Sequence, residues 1–243
     1  MNILFYQALV MIFLVACNAP TSKTKEPDAT DTTARLDDRF NDTTKVLVAE
    51  LPVQFDSTEI LIFPIGLVDL NERKGYKIDF SSSDYGKSDN FSVSSYDDTF
   101  SGDIINLIFE NKTGKQSKLT NHKVRITSVT FLRQIYEETG QQYLLYSLVD
   151  RDSNRDQKFD YQDVSALYLS NLDGSNFKKL THDRHEFYDY NIMGVYKKMY
   201  FRTLEDRNRD DVFNNKDIFH YYRIDFSSEG YEMEEINPLQ LYH

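Results

Sequence analysis

The segment DSNRDQKFDYQD, Asp152 to Asp163, returns fifty-four residues later as DRNRDDVFNNKD, Asp206 to Asp217, with six of its twelve positions identical. Strand-forming runs flank the first copy: YLLYSLVD leads into it and VSALYLSNL leads out. A loop duplicated between such runs calls for one strand–loop–strand unit used more than once. The rest of the chain agrees. KVLVAEL, EILIFPIGLVD, YKIDFS, FSVSSY, INLIFE, VRITSVTFL, QYLLYSLVD, SALYLSNL, KKMYFRTL and IFHYYRIDF are rich in β-branched and aromatic residues, and several alternate apolar with polar. No stretch holds a long helical period. An all-β class follows, because many short strands divided by turns build sandwiches, barrels or propellers.

A second repeat narrows the choice. ALYLSNLDGSNFKKLT (Ala166 to Thr181) contains a strand, an Asp173-Gly174 turn and a short return strand ending in Leu180-Thr181. NLIFENKTGKQSKLT (Asn106 to Thr120) has the same order with Thr113-Gly114 at the turn, and HYYRIDFSSEGYEMEEI is a looser third copy. The pattern LYxxNLDGSNxxxLT resembles the outer strands of a blade in TolB-like β-propellers, over about half the chain, Leu107 to Ile236. The Pro-x-Trp-Ser-Pro-Asp-Gly segment that opens each blade of that family is absent, and the chain has no Trp. Units fit near 55–122, 123–182 and 183–238, about three where closed propellers use about 4–8 blades. The expected fold is an open or degenerate β-propeller-like array of about three four-stranded blade units. A two-sheet β-sandwich is the alternative.

The acidic loops carry a calcium pattern. Calcium takes oxygen ligands, and a twelve-residue EF-type loop supplies them from positions 1, 3, 5, 7, 9 and 12, position 7 through its backbone carbonyl. In the first loop these are Asp152, Asn154, Asp156, Lys158, Asp160 and Asp163. In the second they are Asp206, Asn208, Asp210, Val212, Asn214 and Asp217. Every side-chain slot holds Asp or Asn, and an apolar Phe159 or Phe213 stands at position 8. Position 6 holds Gln157 or Asp211 instead of Gly, and position 12 holds Asp instead of the bidentate Glu, which implies modest affinity or altered geometry. Two Ca2+ sites in β-hairpin loops are expected. The competing reading is a pair of solvated acidic loops with Arg–Asp pairs. Magnesium suits such all-protein cages poorly. HDRHE, His182 to Glu186, is open to two readings: a transition-metal site, or the polar loop after a strand end.

The N-terminus carries an address. Ile3 to Ala16 is an uncharged, mostly apolar run, too short for the roughly 20 residues that span a bilayer and of signal-peptide length. It ends in Leu14-Val15-Ala16-Cys17, which resembles the lipobox of bacterial lipoproteins, although no Lys or Arg precedes the run. The resemblance implies removal of residues 1–16 and lipidation of Cys17; an ordinary signal peptide with a chance Cys is the alternative. Residues 17–45 hold the lipidated Cys and a polar tether rich in Thr, Asp and Lys, spanning roughly 30 Å as a coil. Residues 46–243 form the all-β repeat domain. A net charge of −11 opposes phosphate backbones, so nucleic acid is excluded as a partner. No phosphate loop, nucleophile elbow or Cys–His pair appears. These features together lead to the expectation of a lipid-anchored binding or scaffold protein in the cell envelope, at the outer membrane of a Gram-negative bacterium, with an envelope protein or glycan as partner. A propeller-like hydrolase is the alternative.

Overall fold

The computed structural model describes residues 45–69, 93–210 and 212–242. Cys17, the apolar run and the tether to residue 44 lie outside the described residues, as does the expected strand YKIDFS. The described chain is nearly all β, in three antiparallel sheets, none of which closes on itself. The first sheet contains β1 (Lys45–Ala49) and β2 (Leu61–Asp69). A hairpin of β3 (Val93–Tyr96) and β4 (Thr99–Ile104) follows but joins the second sheet. The chain then returns to complete the first with β5 (Asn106–Glu110) and β6 (Gln116–Lys118), in the order β1-β2-β5-β6.

The second sheet is built on β7 (Arg125–Phe131), β8 (Tyr143–Val149), β9 (Ser165–Asn171) and β10 (Lys178–Lys179), with the β4-β3 hairpin added at the β7 edge. The third is β11 (His185–Met193), β12 (Lys198–Glu205), β13 (Ile218–Asp225) and β14 (Glu232–Ile236), paired in sequence order. The units expected at 123–182 and 183–238 each contribute a four-stranded meander, whereas the unit at 55–122 gives β2, β5 and β6 to the first sheet, beside β1, and β3 and β4 to the second. The middle sheet reaches six strands because of the added hairpin. A short α-helix, α1 (Arg133–Thr139), lies between β7 and β8 and buries Ile135; it ends at Gly140, whose φ of 74° suits a residue without Cβ.

The hairpin repeat is real in three dimensions. Leu119 N–H donates to Leu107 O at 3.0 Å, and Leu180 N–H donates to Leu167 O at 2.8 Å. The turn between β5 and β6 places Gly114 at φ 78°, and that between β9 and β10 places Gly174 at φ 79°. Both amides donate to an Asn carbonyl three residues back, Asn111 and Asn171, at 2.9 and 3.0 Å.

Two apolar layers hold the sheets together. The first sets Ile62, Leu107 and Phe109 of the first sheet against Phe100, Leu144, Tyr146 and Leu148 of the second. The other sets Tyr143, Leu145, Leu167 and Leu169 of the second sheet against Met199, Phe201, Tyr222 and Ile224 of the third. Successive residues of β8 thus enter opposite layers, as the period of two along a strand requires. That is why YLLYSLV is a continuous apolar run: both faces of the strand are covered.

Candidate functional site

The two acidic loops join equivalent strands, β8 to β9 and β12 to β13, and they fold in one register. Position 12 closes each loop. Asp163 Oδ1 accepts the Ser153 N–H at 2.7 Å and Oδ2 the Asp160 N–H at 3.1 Å. Asp217 Oδ1 accepts the Arg207 N–H at 3.2 Å and Oδ2 the Asn214 N–H at 2.8 Å. The turn at position 5 is also shared: Lys158 N–H donates to Asp156 Oδ1 at 2.9 Å, and Val212 N–H to Asp210 Oδ1 at 3.0 Å. So is the turn at position 9, where Gln162 N–H donates to Asp160 Oδ1 and Lys216 N–H to Asn214 Oδ1. Gln157, at the position where a Gly is usual, adopts a φ of 69°, so the backbone takes the left-handed turn without the glycine.

Position 1 differs between the copies. Asp206 is buried, and its Oδ1 accepts the N–H groups of Arg209 at 2.7 Å and Asp210 at 3.2 Å. Asp152 is half-buried; its Oδ2 accepts the Gln157 N–H at 2.8 Å, while its Oδ1 is buried with no hydrogen-bond partner. Asn154, Asp156 and Lys158 are exposed, as are Asn208, Asp210 and Val212. The loops thus bring their carboxylates around short turns, with oxygen as the only side-chain donor at the proposed positions. Such a set suits a hard cation.

A second cluster, which sequence reasoning did not assemble, lies where the second loop meets its strands. His185, Glu205 and His220 come from β11, β12 and β13. His185 pairs with Glu205 in strand register, and Thr203 with His220. A ligand atom from each of His185, Glu205 and His220 falls within 4.8 Å of the others. His220 Nε2 lies 2.9 Å from Glu205 Oε2, and its Nδ1 lies 2.7 Å from Glu235 Oε1. His185 Nδ1 lies 2.9 Å from Thr203 Oγ1. Burial, followed by the neighbouring His220, pulls the His185 imidazole down to about 4, so the ring is neutral at physiological pH. Burial also pulls His220 down, but hydrogen bonds to Glu235 and Glu205 outweigh it and leave it raised. The same hydrogen bond lowers Glu205.

In HDRHE the neighbours separate. The His185 N–H donates to His182 O at 3.2 Å and the two rings lie 5.4 Å apart, but the His185 imidazole takes its polar partner, Thr203, from β12. Glu186 accepts the Ser165 N–H at 2.7 Å, and burial pushes its carboxyl up to about 7. The signal available in the sequence was parity. In IFHYYRIDF, His220 shares a face with Tyr222 and Ile224, so it points inward.

The outward face of the third sheet carries a groove of about 470 Å³, lined in part by Asp189, Asn191, Tyr200, Arg202, Tyr221 and Pro238. Two hydrogen bonds tie the Arg202 guanidinium to Asp189, and it lies 5.0 Å from the centre of the Tyr188 ring and 5.7 Å from that of Phe219. The hydrogen bond from Arg202 holds Asp189 below the usual carboxylate range. Among known proteins, no family model matches the chain and no curated protein matches it.

Proposed function

We propose that the chain is a lipid-anchored binding or scaffold protein of a bacterial envelope, with two calcium-stabilised loops and a partner site on the third sheet. The observation that carries the binding reading is the groove. Its floor is tyrosine-rich, and it holds an Arg–Asp pair fixed by two hydrogen bonds. Aromatic rings offer rigid apolar area, and the paired charges offer directional donors and acceptors; this combination suits an envelope protein segment or a glycan. The orphaned Asp152 oxygen and the shared register of the loops support calcium. Among the described residues no helix is long and apolar enough to cross a membrane, so the reading places the membrane contact at Cys17. Stable anchoring there takes more than one acyl chain.

The test is a pull-down from solubilised envelopes with the full-length chain. Tyr200→Ala with Tyr221→Ala loses the captured partner while the circular dichroism spectrum stays unchanged. Cys17→Ala moves the protein out of the membrane pellet after a salt wash. A partner retained in full by the double variant sinks the groove, and a Cys17→Ala protein that stays in the pellet sinks the anchor.

A further inference from the structure

We propose that His185, Glu205 and His220 form a binding site for one divalent transition metal of the zinc class, separate from the two acidic loops. The donor set is the first argument. Two imidazoles and a carboxylate select a borderline-soft ion, whereas the loops offer only oxygen. The three ligand atoms lie within 4.8 Å of one another. Tetrahedral ligands at zinc distances stand about 3.3 Å apart, within reach of small side-chain rotations.

The surroundings are the second argument. Metal-bound histidines usually donate their other ring N–H to an oxygen acceptor such as a carboxylate, backbone carbonyl or water, which fixes tautomer and orientation. Here Glu235 Oε1 lies at 2.7 Å from His220 Nδ1, and Thr203 Oγ1 at 2.9 Å from His185 Nδ1. In the tautomer where each Nδ1–H donates to its outer partner, Nε2 is the ring atom left to act as the ligand. The ion takes the place of the proton between His220 Nε2 and Glu205, so binding releases a proton. Three protein ligands leave a fourth position for water.

The repeat shows what the sister sheet places at this corner. The Leu119-Thr120 and Leu180-Thr181 strand ends align His185 with Val124, and the two acidic loops align His220 with Ala166. Strand register confirms this. Thr203 pairs with Phe187 and His220 as Leu148 pairs with Ile126 and Ala166. The second sheet fills this place with Val124, Leu148 and Ala166, all buried in its apolar layer. The third fills it with His185, Thr203 and His220, where Thr203 is 0% exposed and His185 8%. The second sheet thus closes the places of His185, Thr203 and His220 with hydrocarbon, and at the place of Glu205 it sets Asp150, which is bonded to Lys179 and Tyr168. Polar side chains in the sister position bring a desolvation cost that a bound ion offsets.

The experiment uses the full-length chain, stripped with a chelator and returned to millimolar calcium so that the loops are not the variable. Co2+ is then titrated in and displaced with Zn2+. One equivalent of Co2+ produces visible ligand-field bands that Zn2+ abolishes. His220→Gln and Glu205→Gln each remove the bands with the circular dichroism spectrum unchanged. Glu235→Gln weakens zinc by about 10-fold or more, as loss of an outer partner does. Asp152→Ala leaves the bands intact, so a failure of the calcium reading is distinguishable from a failure here. Because His185 is buried and its replacement can unfold the sheet, the half-exposed His220 carries the decision. Absence of bands, or bands that survive His220→Gln, overturns the proposal and leaves the cluster as an ion-paired histidine.

Discussion

The second and third sheets repeat one backbone plan, yet β8 and β12 have opposite surroundings. Every residue of β8 except Ser147 is buried, because the strand is covered on both faces. Along β12 burial alternates: Met199, Phe201 and Thr203 turn inward, while Tyr200 and Arg202 line the groove on the other face. The repeat sets the hydrogen-bonded frame, and the place in the stack decides which positions are free to carry chemistry. At β8 the middle sheet has no open face to offer. The third keeps a groove on one side and a polar corner on the other.

The sharpest way to break this contrast is to truncate one side chain in each strand. Leu148→Ala removes a fully buried side chain and is expected to cost about 2–5 kcal/mol. At roughly 2–4 °C per kcal/mol for a body of this size, the melting temperature falls by several degrees or more. Tyr200→Ala lies on the outer face and is expected to change stability by less than about 1 kcal/mol. Thermal unfolding of the two variants checks this. Equal losses would mean that the outer face of the third sheet is covered as β8 is.

The two repeated turns also differ in what surrounds them. Gly114 and Gly174 share a positive φ, but a Cβ built at Gly114 meets nothing within 4 Å. A Cβ at Gly174 would lie 2.3 Å from the Phe109 ring, which belongs to the first apolar layer. Gly114→Ala therefore carries only the left-handed backbone penalty, about 1–2 kcal/mol. Gly174→Ala adds the displacement of a packed ring, about 1–3 kcal/mol more. Denaturant midpoints separate the two, and equal midpoints would show that Phe109 moves aside freely.

Much of the frame was readable because strand period and burial are coupled. The continuous run YLLYSLV announces a strand covered on both sides, and KMYFRTL announces one covered on a single side. What escaped has physical reasons. In HEFYDYNIM a bulge between Phe187 and Asp189 breaks the alternation, so β11 did not read as a strand. The helix α1 spans Arg133–Thr139 and lacks a side-chain N-cap bond, so its sequence carries no start signal. The register of the acidic loops was legible because each lies within one segment of twelve residues. The His185–Glu205–His220 cluster was not, because its members meet only through the pairing of three strands.

The smallest expected effects separate the two acidic loops from each other. If calcium binds both, millimolar calcium raises the melting temperature, by about 2.7 kcal/mol of stability per site at a hundred times Kd. Asp152→Ala and Asp206→Ala each remove part of that gain. Without metal they differ. Asp206→Ala takes the acceptor from the Arg209 and Asp210 amides, and a loss of about 1–2 kcal/mol is expected. Asp152→Ala gives up one hydrogen bond to an exposed turn and also removes a buried oxygen that has no partner. Those two changes oppose each other, so the metal-free protein is expected to shift by no more than about 0.5 kcal/mol. Melting curves of both variants, with a chelator and with calcium, test this. A large loss for Asp152→Ala in chelator would mean that the aspartate holds the loop by itself. Wild-type curves that calcium does not move would leave both segments as hydrogen-bonded acidic turns.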